Sequence, residues 1–281
     1  MGNMMEDVKD SLGQRMKDYE KLYEYKLMPT LPALIRLDGV CFHSFTRDMA
    51  RPFDEDLSKI MYMVLEHLMK ETNARFGYTQ SDEISLLLYS DDAKSQIYFD
   101  GDVKKIISVL AAKASVYLNM LVEIYMRDKM GRVPVMDCRA WNVPSKAETA
   151  NYFIWRELDA VRNSVSMAAS SVYSHQELYK KNNQQKQDML FEKGINWNNY
   201  PSYFKRGTYV QRCQISLAYS GEKLDQLPPL HEVRANPDLK VVRTVYRLMD
   251  ISLLRVTNQE EVLFDGVTPE LEQQDEKRNS G

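Results

Sequence analysis

Two acidic stretches carry the chemistry available to this sequence. The first, Leu34-Ile35-Arg36-Leu37-Asp38-Gly39-Val40-Cys41-Phe42-His43, starts as an apolar run of strand type and ends in a carboxylate followed by glycine. A carboxylate closing a buried strand is costly unless something pairs with it, and a cation is the obvious partner. The glycine lets backbone come close to a ligand. The second stretch, Gln80-Ser81-Asp82-Glu83, stands 44 residues on (82 − 38), inside another apolar run. Either one alone reads most simply as a turn at a strand end. Together, flanked by strands and with a helix between them, they read as a two-metal site for nucleotide chemistry. Phosphoryl and nucleotidyl transfer use two hard cations roughly 3.5–4 Å apart, bridged by carboxylates. Asp38 and Asp82 can supply that bridge, and the Gly39 carbonyl can add a backbone ligand. Adjacent strand residues point to opposite faces, so Asp82 is the expected ligand and Glu83 its support.

A triphosphate also needs donors. The backbone from Asp38 through Val40, Cys41 and Phe42 to His43 turns just after a strand, where N–H groups can cradle phosphates. Arg36, His43, Arg51 and Lys105 are candidate side-chain donors. Arg139 is a further candidate, although in its strand it could equally pair with Asp137. Later in the chain Trp197, Tyr200, Tyr203 and Phe204 alternate with Lys193, Lys205 and Arg206. Stacking faces beside cations suit a flexible RNA end, while about half of such aromatics belong to a core. Arg162 and Asn163 join Lys193, Trp197, Lys205 and Arg206 as the candidate RNA contacts.

Composition sets the frame. The 281 residues, 44% hydrophobic and 27% charged, are enough for one large domain or two small ones. A net charge of −3 argues against a generally basic nucleic-acid coat and leaves room for a local basic groove. The three cysteines are far apart and form neither a disulfide framework nor a CxxC site. The four histidines lack zinc-ligand spacing, so any metal is expected on oxygen ligands, as magnesium or manganese are. The N-terminus has no signal-peptide layout and no window approaches an 18-residue apolar run, so a cytoplasmic protein without a membrane span is expected.

The elements that must position these residues follow from periodicity. Residues 5–24 suit a helix with a narrow apolar face. A strand over 33–37 delivers Asp38. Leu57, Ile60, Met61, Val64, Leu65, Leu68 and Met69 mark one face of a helix started by Pro52 and Asp54. Residues 75–90 read as a hairpin turning at Ser81-Asp82, and 96–99 as a short strand. A second helix begins near Val103, and a strand runs from Val133 to Val143. A third helix spans 146–173, opened by a Ser145/Glu148 capping box. The polar stretch 180–188 reads as a surface loop, and 208–217 as a strand. Strand, helix, hairpin, helix, strand is the order of a ferredoxin-like α+β sheet with its helices on one face. The expected layout is a catalytic unit at 1–175, an RNA-contacting extension at 176–267 and a disordered tail at 268–281.

Leu37-Asp38-Gly39 with Phe42-His43, Tyr78-Thr79-Gln80-Ser81-Asp82-Glu83, Asp137-Cys138-Arg139 and Lys205-Arg206-Gly207-Thr208 together resemble the tRNA-histidine guanylyltransferase superfamily, over about residues 11–212. Its members add nucleotides in the 3′-to-5′ direction with a palm domain like that of polymerases and nucleotide cyclases. The resemblance implies two magnesium ions on Asp38, Gly39 and Asp82. It implies ATP and GTP or another NTP held by residues 38–43 and Ser81, and a need for Glu83. It further implies tRNA as partner and a homotetramer. Arg51 stands where the family commonly has lysine. The eukaryotic histidine-tRNA enzymes carry His-Ile-Asn-Asn-Leu-Tyr-Asn in the third helix, where this chain has Val161-Arg162-Asn163-Ser164-Val165-Ser166-Met167. That stretch resembles the other branch, the template-directed polymerases that repair 5′-truncated tRNA. A nucleotide cyclase and a non-catalytic RNA-binding module are the rival expectations.

Overall fold

In the computed structural model, which describes residues 2–92, 94–129, 131–218, 228, 236 and 239–272, the chain builds one sheet and clothes it with helices. In chain order these are α1 (Gly2–Lys21), β1 (Ala33–Gly39), α2 (Phe42–Phe45), α3 (Glu55–Thr72), β2 (Phe76–Gln80), β3 (Glu83–Leu88), α4 (Val103–Tyr125), β4 (Met136–Asn142) and α5 (Lys146–Ser170). Then come α6 (His175–Leu178), α7 (Asn183–Glu192), α8 (Ser202–Arg206), β5 (Thr208–Ala218), β6 (Lys240–Met249) and α9 (Gln259–Phe264). The six strands lie in the order β4-β1-β3-β2-β5-β6, every neighbouring pair antiparallel. The first four reproduce the ferredoxin-like order, and β5 with β6 extends it at the β2 edge.

Strand alternation divides the sheet into two faces. On β1, Ala33, Ile35 and Leu37 join the apolar residues of α3 and α4 in one core, while Leu34 belongs to a second core with Phe76, Leu87 and Phe153 of α5. α3 starts as the sequence signals: the Asp54 carboxylate accepts the Leu57 N–H at 3.0 Å. Its buried residues include Leu57, Ile60, Met61, Val64, Leu65, Leu68 and Met69, the stripe read from the sequence. The α+β palm-like sheet is as expected, with one difference. α3 and α4 cover one face, but α5 and the segment from Leu253 to Phe264 cover the other. Leu34, Phe76, Tyr78 and Leu87 are apolar or aromatic too, so the second face also needs a cover.

Local corrections have local causes. Residues 96–99 form no strand; Tyr98–Gly101 is a 3₁₀ turn in which Phe99 and Asp100 take positive φ. β4 begins at Met136, not at Val133, because Pro134 has no N–H for a ladder. The stretch 180–188 is no loop: α7 covers most of it, started by a reciprocal Asn182/Gln185 capping box. At α5 only half of the expected capping box forms, Ser145 Oγ accepting the Glu148 N–H at 3.1 Å. α4 also departs from expectation, since it is long and apolar enough by composition to cross a bilayer. It packs Ile106, Leu110, Ala114 and Leu118 against the sheet instead. Residues 268–272, placed in the tail by composition, bond back onto the body: Thr257 N–H donates to the Glu270 carbonyl (2.9 Å) and Glu272 N–H to that of Arg255 (2.9 Å). Residues 273–281 lie outside those described.

Glu157 fastens α5 to the last part of the chain. Its carboxylate is 1% exposed and accepts from Tyr209 OH (2.8 Å), Leu253 N–H (2.8 Å) and Ser252 Oγ. Glu157→Ala strands buried donors whose desolvation costs about 1–3 kcal/mol each. We expect a loss of about 3–5 kcal/mol in urea unfolding, and a loss under 1 kcal/mol would refute this role.

Candidate active site

Register places the charged residues. Asp38 lies opposite Glu83 on β3 and opposite Asp137 on β4; Arg36 lies opposite Ser85 and Arg139. Their side chains share the α5 face, so one end of the sheet carries a row of three carboxylates beside a row with two guanidiniums. Asp82 comes from the β2–β3 turn, which Ser81 makes by taking a φ of 54°. A Cβ built on Gly39 would lie 2.8 Å from Asp82 Oδ2 and run into the Phe42 ring. The hairpin tip therefore sets its carboxylate against the end of β1, as the sequence implied.

The electrostatics are those of an unfinished site. Asp82 has its pKa raised, first by burial and then by the Asp38 charge, against hydrogen bonds from its own backbone and Ser81. Among the described residues neither Asp38 nor Asp82 has a basic group within 4 Å. Two carboxylates held together without a counterion suit a hard cation. No set of three His, Cys, Asp or Glu side chains among the described residues forms a metal site. Asp38, Asp82 and the Gly39 carbonyl are the groups that could hold such a cation, with water and phosphate oxygens to complete the shell, as magnesium prefers. Two more polar atoms are orphaned nearby: Arg36 Nε and Asp137 Oδ1 are buried with no partner.

Glu83 has a different role from that of a surface carboxylate. It is buried and takes both prongs of Arg156, Nε to Oε1 and Nη2 to Oε2 at 2.7 Å each. Burial raises its pKa, with Arg156 and Arg36 opposing. Arg156 also reaches Asp159 at 3.1 Å, and Ser85 pairs with Tyr152 OH at 2.8 Å. Asp38, Gln80, Asp82, Glu83, Arg156, Asn163 and Met167 line one cavity of about 360 Å³. A second cavity of about 340 Å³ adjoins it through Ser81, Ser166 and Met167, and has Met49, Pro52, Phe53 and Leu57 as apolar walls and Arg51 at its edge.

The other expected residues fall into place unevenly. Val40 spends its N–H on the Val135 carbonyl (2.8 Å), Cys41 is left-handed with φ 51°, and Phe42 is buried, so only its backbone can meet a ligand. His43 is exposed on α2 beside the site. Arg139 pairs with Asp137 at 3.3 Å, one step along from Asp38. Lys105 is misplaced. α4 runs back along the sheet, so its first turn lies at the opposite end, where Lys105 lines a groove with Asn73 and Tyr98. Of the RNA candidates, Asn163 lines the cavity beside Asp38 and Asp82, and Arg162 pairs with Asp159 at 2.8 Å. Lys193 lies over the Tyr173 ring, Lys205 over Trp197, and Arg206 pairs with Asp250 at 3.4 Å. Tyr200, Tyr203 and Phe204 surround Phe53, and Trp197 packs in the same cluster and donates to Ser164 Oγ, so these rings are core.

Sequence reasoning missed Arg156, Tyr152, Ser166 and Met167. The signal was present: Arg156, Asp159, Asn163 and Ser166 follow one another at spacings of three and four, a polar stripe on an otherwise packed helix, with Met167 four residues past Asn163 on the same side. Gly39→Ala tests the close approach at the hairpin tip. The added methyl must push Asp82 or Phe42 aside, so we expect turnover to fall at least about 100-fold for a misplacement of this size, with the far-UV circular dichroism unchanged.

Residues 13–144 match the family described as Thg1, tRNAHis guanylyltransferase. A bacterial tRNA(His) guanylyltransferase (Thg1)-like protein solved in complex with ATP is 39% identical, with a TM-score of 0.68 over 72% of this chain and 86% of that one. Another such bacterial protein, solved with GTP, is 32% identical, with a TM-score of 0.65 over 85% and 91%. An uncharacterised protein of Acanthamoeba polyphaga mimivirus is 30% identical over 76% of this chain and 82% of its own length.

Proposed function

This chain belongs to the tRNAHis guanylyltransferase family and is a nucleotidyltransferase, and from that premise we propose that it extends the 5′ end of truncated tRNA by template-directed 3′-to-5′ addition. One observation favours this branch. The stretch that departs from the histidine-tRNA enzymes, residues 161–167, supplies Asn163, Ser166 and Met167 to the walls of the two cavities. The departure therefore sits where the substrate end would lie.

The adjoining cavities suit a nucleotide and an RNA terminus. The apolar slot beside Phe53 and Met167 takes a base, and Arg51 lies at its rim to meet phosphate. Arg36, half-buried with its Nε unpartnered and, among the described residues, no carboxylate within 4 Å, is placed to neutralise phosphate oxygens. Two magnesium ions on Asp38, Asp82 and the Gly39 carbonyl would supply charge neutralisation and a more acidic attacking hydroxyl. In the first step the 5′-monophosphate attacks the α-phosphorus of ATP and pyrophosphate leaves. In the second the 3′-hydroxyl of an incoming NTP attacks the 5′ phosphorus and AMP leaves, while the opposing strand selects the base. The arginines hold the phosphates in line, and Arg156 holds Glu83 off the reacting groups.

A cytoplasmic location and a homotetramer go with this reading. The outward stripe Val116, Met120 and Ile124 on α4 is 52–61% exposed and supports self-association.

The test is 5′-monophosphorylated tRNA lacking its first nucleotide, with ATP, magnesium and each labelled NTP in turn. Incorporation of only the NTP complementary to the opposing base is expected. Guanosine alone, added only to histidine tRNA, would instead mark a guanylyltransferase. No incorporation from any NTP would favour a cyclase or a binding module.

A further inference from the structure

At the end of the sheet away from Asp38 and Asp82, two arginines face each other with no counterion among the described residues. Arg212 of β5 donates its backbone N–H to the Arg75 carbonyl at 3.0 Å, one pair beyond Phe76 and Gln211, so the two are cross-strand neighbours. Among the described residues their guanidiniums bond only neutral oxygens. Arg75 donates to the carbonyls of Tyr89 (3.2 Å) and Phe264 (3.3 Å), and Arg212 to the carbonyl of Asn73 (3.0 Å) and its side-chain oxygen. Among the described residues neither has a carboxylate within 4 Å. Like charges directly opposite across strands are destabilising, and among the described residues no ion pair offsets these two. Burial and the Arg75 charge, in that order, hold the Arg212 pKa below its usual value.

Both guanidiniums open onto a cavity of about 110 Å³ whose other walls include Thr72, Asn73, Ser90 and Gln96. A whole nucleotide needs about 300 Å³ or more, so this space admits a single phosphate group. It runs through Thr72, Asn73, Gln96 and Tyr98 into an open groove of about 550 Å³, on whose margin Lys105 lies. The acids of that groove are already neutralised, Glu71 by Lys113 and Asp100 by Lys26. β3 spans roughly 17 Å from Glu83 to Leu88, given about 3.3 Å per residue step. A nucleotide held at Asp38 and Asp82 cannot reach so far; a polynucleotide can.

We propose that Arg75 and Arg212 form a phosphate site that grips the RNA backbone at the end of the sheet remote from catalysis. The RNA part rests on the function proposed above. Free inorganic phosphate shares the chemistry and is the alternative source. The open groove favours the polymer, because a chain can enter the cavity with one phosphate and leave along the groove.

Arg212→Gln is the test variant, since it touches no residue of the catalytic cavity and removes a repulsion. Anisotropy of labelled 5′-truncated tRNA over a potassium chloride series should show weaker binding, with the log–log salt slope reduced by about one. Arg212→Lys should keep most of that slope. Adenylylation of a short 5′-phosphorylated oligonucleotide, which cannot reach the groove, should be unchanged. A thermal-shift titration with inorganic phosphate tells the sources apart. If phosphate stabilises the wild type alone while tRNA affinity is equal in both proteins, the RNA assignment is overturned. If neither phosphate nor tRNA distinguishes them, the site itself is overturned. Failure of the wild type to extend tRNA would count against the proposed function and leave the binding comparison standing.

Discussion

Asp38→Asn and Asp82→Asn are each expected to abolish both nucleotidyl steps, by about 10³-fold or more, while leaving a folded protein. The reasoning starts from charge. The two carboxylates share one end of the sheet, no basic group lies within 4 Å of either among the described residues, and the Asp38 charge raises the Asp82 pKa on top of burial. Such an arrangement opposes folding at neutral pH, so it must be held for function. An isosteric amide removes the repulsion at no cost in volume, and the melting temperature should be unchanged or higher. Lost transition-state stabilisation shows instead in the rate, because charge building on the phosphoryl oxygens is left without its counter-charge. Magnesium provides the control. In the wild type it should raise the melting temperature with concentration, as mass action on the folded state requires, and in either variant this shift should shrink. Pyrophosphate release from ATP and 5′-phosphorylated RNA reads the first step, and labelled NTP incorporation the second. Folded Asp38→Asn protein that keeps turning over would remove Asp38 from the reaction.

Those carboxylates were legible in the sequence because strands are. An apolar run ending in an abrupt Asp-Gly, and a second acidic pair at an apolar hairpin's turn, put Asp38 at a strand end and Asp82 at a hairpin tip, and antiparallel pairing brings the two together. The stripe of α3 was equally plain. What was hidden depended on partners far away in the chain. Arg156 reads as one more charge on an amphipathic helix until α5 is laid across the second face of the sheet, opposite Glu83. Lys105 reads as a phosphate donor until the direction of α4 is known. Trp197 to Phe204 read as stacking faces until Phe53 fills the space between them. The polar residues 183–188 read as loop because α7 buries little besides Leu190, and its start rests on caps more than on an apolar stripe.

Arg156→Met is expected to cost about 3–5 kcal/mol of stability, and the way that cost is recovered separates structure from catalysis. Arg156 and Glu83 side chains are each about 10% exposed and meet at 2.7 Å through two parallel bonds. Removing the cation leaves a buried carboxylate whose pKa is already raised by desolvation, and breaking one side of such a pair is the costly case. Adding Glu83→Leu should return most of that loss, since apolar replacement of a buried ion pair is often neutral in stability. Activity should not return with it. Glu83 lies opposite Asp38 across the β1–β3 ladder and shares the catalytic cavity with Asp82. Its charge and its tether to α5 hold that wall in place, and Arg156 also fixes Asp159, which takes Asn163 and Arg162 with it. A double variant as stable as the wild type yet slower by 10²-fold or more would make the pair a positioning device for the site. A double variant with wild-type kcat and KM would reduce it to a strut between helix and sheet.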